Sequence, residues 1–187
     1  MTQAVDESRD PRWVDLTPAE AKAHRLYGLG WTGAVLLVGF LWCALGCLAR
    51  VGLLVYGLAL GDADGLPLSS MVLTYMPVAD AAFVVLFLWL AAIVRRPGTR
   101  SFAELATIAC GLYVLYVVPY VFAFRHLTDT AAFSLGGWQT YVHYVVPIAF
   151  CLWTLAYANL SPRVRMTFAH QAPRDEAYAP APRRSGG

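Results

Sequence analysis

Asp80 and His143 are the residues of this chain whose types could do chemistry in apolar surroundings. An acid inside a membrane span costs about 2.5–3.5 kcal/mol on insertion scales, so we expect Asp80 to face other helices. Counted from the same end of the bundle, Asp80 lies about ten residues inside its apolar run and His143 about six, a difference in depth of about 6 Å. The two could form a proton or cation site, because histidine changes charge near neutral pH. The alternative is a structural contact in which Asp80 bonds His143, Arg50 or the hydroxyls of Tyr116 and Tyr141.

Other residue types that bind cofactors do not form a recognisable site. Haem in a membrane bundle is commonly held by histidines on two helices, and only His143 lies well inside an apolar run. The cysteines lie within apolar runs, where thiols behave as small hydrophobic groups; they are Cys43, Cys47, Cys110 and Cys151. The sequence has no phosphate-binding loop, metalloprotease or nucleophile-elbow pattern. We therefore expect no cofactor, no metal and no catalytic residue.

Four long apolar runs must position these side chains. The chain is 58% hydrophobic and 14% charged, whereas ordinary globular chains are about 45–50% apolar and about 25% charged. The runs cover residues 31–50, 70–94, 101–124 and 137–160, and about 20 apolar residues cross a bilayer as a helix. The predicted fold is an all-α integral membrane four-helix bundle over residues 26–168. The apolar segment 51–60 either extends the first helix or lies on the outer face.

The distribution of cations predicts the orientation. Of the 14 Lys and Arg residues, all but Arg50 and Arg125 fall in the two terminal segments and the middle loop. Since cytoplasmic segments carry the excess of Lys and Arg, both termini are expected in the cytoplasm. Arg50 and Arg125 then become candidate outer-face cations.

The two terminal segments differ in composition. Residues 1–25 read as a cytoplasmic arm in which Thr17 and Glu20 have the spacing of a capping box, with Pro18 starting a short helix. The arm has no apolar core and cleavage site of a signal peptide, so the first span is expected to act as an uncleaved insertion signal. Residues 169–187 are rich in Pro and Ala and are predicted to be a disordered cytoplasmic tail.

The segment LWTLAYANLSPRVRMTFAH, from Leu152 to His170, carries a family resemblance. It resembles the end of the last helix in the bacterial inner-membrane family catalogued as domain of unknown function 2569. The matching positions are Ser161, Arg163, Val164, Arg165, Thr167 and Phe168. Gly28-Leu29-Gly30-Trp31 is similar to the family's Gly-rich, Trp-containing entry to the first span, and Arg50 stands where a similar cation follows it. The resemblance implies four spans in a bacterial cytoplasmic membrane and no particular chemistry.

The same motif has a physical interpretation. Arg163 and Arg165 follow a helix carboxyl end, where their charge complements the helix dipole and the phosphates of the inner leaflet. With Phe168 returning to the interface, the segment formed by Ser161, Arg163, Arg165, Thr167 and Phe168 is a candidate inner-leaflet anchor. A docking site for a cytoplasmic partner is the alternative.

These patterns favour a non-enzymatic accessory or structural component of the inner membrane. A small oligomeric transporter or channel subunit with a site at Asp80 and His143 is the first alternative, and a redox membrane subunit is the second. The expected partners are the lipid bilayer and either further copies of this chain or another membrane protein. No nucleic-acid partner is expected.

Overall fold

The computed structural model describes residues 12–59, 70–96, 99, 101–127 and 144–175. Their elements, in chain order, are β1 (Trp13–Asp15), α1 (Pro18–Ala23), α2 (Trp31–Ala59), α3 (Ser70–Val94), α4 (Phe102–Leu127), α5 (Val146–Leu160), α6 (Pro162–Val164) and β2 (Gln171–Pro173). A π-helical turn, Arg165–Ala169, joins α6 to the segment before β2. The predicted all-α membrane fold is confirmed, with a two-stranded sheet added to it.

Helices α2, α3 and α4 are long enough to cross a bilayer. They contain 29, 25 and 26 residues, which at about 1.5 Å per residue exceeds the roughly 30 Å of hydrocarbon. Large apolar side chains point away from the protein along them, as Val38, Val85 and Leu115 do at 63, 68 and 72% exposure. Soluble proteins do not expose apolar surface so extensively, so the chain is a membrane protein. Helix α5 has 15 residues, and residues 137–143 of the predicted fourth span lie outside the described ranges.

Helix α2 continues beyond the first apolar run. It runs through Arg50 without interruption to Ala59, so of the two predicted alternatives for the segment after Arg50, the structure shows the one in which it extends the first helix. Arg50 is accommodated within this helix by a partner inside the bundle, described below. Pro77 and Pro119 likewise lie within α3 and α4, as prolines often do in membrane helices.

The core lies between the four long helices. Helix α2 packs mainly on α3, and α4 packs mainly on α5. Phe40 of α2 stacks on Phe87 of α3 and meets Phe150 of α5 edge-on, with ring centroids 6.1 and 5.4 Å apart. Gly39 allows the α5 contact, because a Cβ there would lie 2.0 Å from the Phe150 ring.

The two terminal segments meet at one end of the bundle, which we call the terminal face: β1, α1, α6, the π-helical turn and β2. Strand β1 pairs antiparallel with β2 in the register Trp13↔Pro173. Ala21 of α1 packs with Met166 and Ala172 in a small second core. Residues 169–175 are therefore ordered, which corrects the predicted start of the disordered tail at residue 169. Residues 176–187 lie outside the described part of the chain.

The predicted helix start in the arm is confirmed. The Thr17 N–H donates to Glu20 Oε2 at 2.8 Å, and the Glu20 N–H donates to Thr17 Oγ1 at 3.3 Å. This capping box satisfies amides that α1 cannot bond internally. The Thr17 hydroxyl, followed by the Thr17 amide, stabilises the carboxylate and lowers the pKa of Glu20 below its ordinary value.

Candidate functional site

Arg50 and Asp80 form an ion pair inside the bundle. Arg50 Nε donates to Asp80 Oδ2 at 3.0 Å and to Oδ1 at 3.2 Å, and Nη2 donates to Oδ1 at 2.5 Å. The two side chains are only 9% and 4% exposed. A guanidinium that engages both oxygens of a carboxylate makes one of the strongest polar contacts available to a protein. Of the partners that the sequence left open for Asp80, Arg50 is the one the structure places on its carboxylate.

The guanidinium of Arg50 also contacts three further side chains. Its Nη1 donates to the Tyr113 hydroxyl of α4 at 3.5 Å, and its Nη2 donates to Cys47 Sγ at 3.2 Å. Its Cζ lies 5.9 Å from the ring centroid of Tyr113 and 5.7 Å from that of Tyr144, in the turn before α5, within the range of cation–π attraction. We call Arg50, Asp80, Cys47, Tyr113 and Tyr144 the charge centre. One arginine thus joins side chains of α2, α3 and α4 with Tyr144, which lies just before α5.

Helix geometry places the charge centre at a defined depth. Asp80 lies about 21 Å along α3 from its end at Val94, at about 1.5 Å per residue. A hydrocarbon layer about 30 Å thick that begins at Val94 would place the pair in the third farthest from the terminal face. At such a depth each ion is stable only when paired and hydrogen-bonded.

Aromatic rings separate the charge centre from the middle of the bundle. Tyr113 meets Phe83 and Phe87 edge-on, with ring centroids 5.2 and 5.1 Å apart, and Tyr116 stacks on Phe83 at 5.4 Å. Tyr113 and Phe87 are fully buried. This layer shields the charges from the terminal face and strengthens the pair, because the local dielectric constant is lower than that of water.

The other residues predicted for this end have different outcomes. His143 lies outside the described residues, and the backbone of Arg125 lies in α4 without a described side chain, so their roles stay predictions. Arg50, the other predicted outer-face cation, has its side chain turned into the bundle toward Asp80 and only 9% exposed; its position relative to the membrane surface stays a prediction. Sequence reasoning missed Tyr113, although Tyr113 and Tyr116, three residues apart on one helix face, were a signal for a polar surface on α4.

The predicted anchor residues occupy the terminal face, but not all of them face lipid. Thr167 Oγ1 accepts a 2.9 Å hydrogen bond from the Gly28 N–H. Phe168 stacks on Phe102 of α4, with centroids 4.2 Å apart and planes inclined by 20°. The expectation that Phe168 returns to the interface is wrong, because the π-helical turn rotates it into the core, where it is 1% exposed.

Three polar members of the anchor, Ser161, Arg163 and Arg165, remain at least partly exposed, whereas Thr167 is buried. The Ser161 N–H donates to the Tyr157 carbonyl at 3.0 Å and ends α5. Arg163 is exposed, and the guanidinium carbon of Arg165 lies 4.4 Å from the ring centroid of Trp13 in β1. The entry segment 28–31 and the segment 161–168 are therefore in direct contact, with Gly28 at φ +88°, a conformation that suits glycine.

The His, Cys, Asp and Glu side chains of the described residues are spread through the bundle. Within the described ranges no group of three or more His, Cys, Asp or Glu side chains is placed to hold a metal ion. Cys43, Cys47, Cys110 and Cys151 are buried and free. Cys43, Cys110 and Cys151 belong to the hydrophobic core, whereas the sulfur of Cys47 also accepts from Arg50.

Comparison with known proteins gives no relative. No protein-family model matches the chain, and neither a curated protein nor a solved structure matches it. The resemblance of residues 161–168 to the domain of unknown function 2569 thus stays a prediction. What the structure establishes is a helical membrane protein with a paired charge buried between its helices.

Proposed function

We propose that the protein is a non-enzymatic structural or accessory component of the bacterial inner membrane, with both termini in the cytoplasm. The observation that carries the proposal is the arrangement of Asp80, whose two carboxylate oxygens are both engaged by Arg50. The acid with the most potential for intramembrane chemistry is therefore already in use.

The partner of Asp80 is an arginine, and this supports a structural role for the pair. A transport site needs an acid that can release one cation or proton and accept another. Arginine does not deprotonate in proteins, so the cation beside Asp80 is permanent. An exchanging proton or metal ion would have to displace a guanidinium held also by Tyr113, Tyr144 and Cys47. The charge centre is therefore better suited to holding α2, α3 and α4 together than to exchanging a proton or a metal ion.

The charge distribution supports the proposed orientation. The terminal face carries Arg12, Lys22, Arg163, Arg165 and Arg174, whereas Arg50, near the opposite end, is neutralised by Asp80. An excess of cations next to the spans is typical of the cytoplasmic side. Fusing green fluorescent protein or alkaline phosphatase after Gly187 in a bacterial host tests it. We expect fluorescence without phosphatase activity, and the reverse would overturn the orientation.

Flux measurements test the structural role against transport. Wild-type protein and Asp80→Asn would be reconstituted into liposomes, and proton and potassium flux would be followed with fluorescent indicators. The pH would be varied from 5 to 8, because a histidine side chain changes its charge in about this range. We expect both proteins to match protein-free liposomes. Wild-type flux that Asp80→Asn abolishes, while Glu104→Gln on the exposed surface of α4 retains it, would overturn the proposal in favour of a transporter with a site at Asp80.

A further inference from the structure

A basic cleft lies at the terminal face beside the end of α5. Its volume is about 810 Å³, and its lining includes Arg12, Trp13, Leu160, Arg165 and Arg174. The cleft exists only because the two terminal segments pair, since Arg12 and Trp13 come from one segment and Arg165 and Arg174 from the other. None of these residues takes part in the charge centre.

The sheet holds the cations of the cleft close together. The Arg174 N–H donates to the Arg12 carbonyl at 2.9 Å, so these two residues are neighbours across the end of the β1–β2 ladder. Arg165, which follows α6, is held at the cleft by the contact of its guanidinium with the ring of Trp13. Asp175 is an acid in the lining, and neither Arg165 nor Arg174 forms a salt bridge within the part of the chain that the structure describes. Arg165 and Arg174 are therefore available to an added anion, and guanidinium groups match phosphate oxygens geometrically.

The position of the cleft indicates what carries that anion. Leu160 is the last residue of α5 and is 80% exposed, so an apolar wall continues from the cleft into the lipid-facing surface. The cleft therefore lies where an apolar helix of the bundle ends, and in a membrane the phospholipid phosphates lie at the level where apolar helix surface gives way to polar residues. Trp13 is of the type that occupies this interface. A ligand with a phosphate head and an acyl tail would match both the arginines of the cleft and the apolar surface at Leu160.

We propose that this cleft binds the phosphate headgroup of an anionic phospholipid through Arg165 and Arg174, with the acyl chains along Leu160 and the lipid-facing side of α5. The site is distinct from general attraction of basic segments to a negative membrane, because it requires the two terminal segments to be paired. It goes beyond the proposed structural function by naming a ligand class and its residues.

Native mass spectrometry of the full chain in detergent tests the site. Short-chain phosphatidylglycerol, phosphatidic acid and phosphatidylcholine would be titrated against the wild type and the variants Arg165→Gln and Arg174→Gln. We expect the anionic lipids to bind more tightly than phosphatidylcholine, and each variant to lose about tenfold in affinity, since hydrogen bonds to charged groups contribute about that much. Arg163→Gln is the matched control, because Arg163 is exposed in α6 and does not line the cleft.

Several outcomes would overturn the site. One is equal affinity for anionic and neutral lipids, and another is an equal loss in Arg163→Gln and Arg165→Gln, which would indicate general charge attraction. Inorganic phosphate binding as tightly as the phospholipids would exclude a lipid source. Circular dichroism would establish that each variant is folded, and Trp13→Phe, which keeps a ring under Arg165, is expected to retain binding.

Discussion

Arg50 and Arg165 are both held against aromatic rings, yet their charges are balanced differently. Arg50 lies near Tyr113 and Tyr144 with a carboxylate of the same chain on its guanidinium, and its side chain is 9% exposed. Arg165 lies over Trp13 in an open cleft beside two further arginines. Inside the hydrocarbon a cationic side chain needs an anionic side chain of the protein as its partner, because no other anion is available there. At the headgroup level the membrane itself can provide the anion.

Breaking the charge centre has the largest expected effect. Asp80→Leu leaves the Arg50 charge buried without its partner, and removing one member of a buried pair costs about 3–5 kcal/mol. We expect a similar loss for Arg50→Met and recovery of most of it in the double variant, because an apolar pair of similar volume packs without desolvated charges. Unfolding in detergent measures the cycle, and a double variant as unstable as the sum of the singles would contradict the pairing.

Helix packing below the charge centre gives the next effect. Gly39→Ala would place a Cβ 2.0 Å from the Phe150 ring, so α2 and α5 must separate or the ring must leave Phe40. Overpacking of this kind costs about 1–3 kcal/mol. Gly46→Ala on the same helix is the control, since nothing lies within 4 Å of its added Cβ. Equal melting temperatures of the two variants would show that the ring moves without penalty.

At the terminal face, Thr167→Val tests whether the entry segment depends on a single hydroxyl. The variant leaves the Gly28 N–H without its 2.9 Å acceptor, and an unpaired buried group costs about 1–3 kcal/mol. Thr107→Val is a suitable comparison, because the Asn159 amide that bonds Thr107 also donates to the Leu155 carbonyl. We expect the comparison variant to unfold close to the wild type in the same detergent assay. A larger loss there than in Thr167→Val would contradict the assigned role of Thr167.

The smallest expected effect on stability concerns the exposed capping box of Thr17 and Glu20, where the charge of the Glu20 carboxyl depends on pH. Because the folded pKa of Glu20 is lowered, its contribution to α1 is present above the unfolded pKa and is lost as the pH falls through the folded value. Carbon-13 NMR of the Glu20 carboxyl should give a midpoint below the ordinary 4.5. Thr17→Ala should raise the midpoint, whereas Thr17→Ser keeps the hydroxyl and should not. Identical midpoints in both variants would mean that the hydroxyl does not stabilise the carboxylate.

Sequence reasoning succeeded where the controlling interactions are local. The apolar runs predicted the membrane helices, and Thr17-Pro18-Ala19-Glu20 predicted the start of α1. It was less successful for the partner of Asp80, since the sequence places several polar side chains at a similar depth in the bundle and does not show which of them contacts the carboxylate. It also missed the β1–β2 pairing, because each strand has three residues and no alternation to mark it.

The amino-acid sequence by itself determined that this chain forms membrane helices, that Asp80 needs a partner and that cations gather at one end. These properties depend on composition and on spacing along one segment, which are independent of how helices are rotated against each other. The tertiary structure alone decided that Arg50 turns inward to Asp80, that Phe168 stacks on Phe102 and that the two terminal segments pair to enclose a basic cleft. Each of these depends on the rotation and level of segments far apart in the chain, and those are set by packing among all four helices.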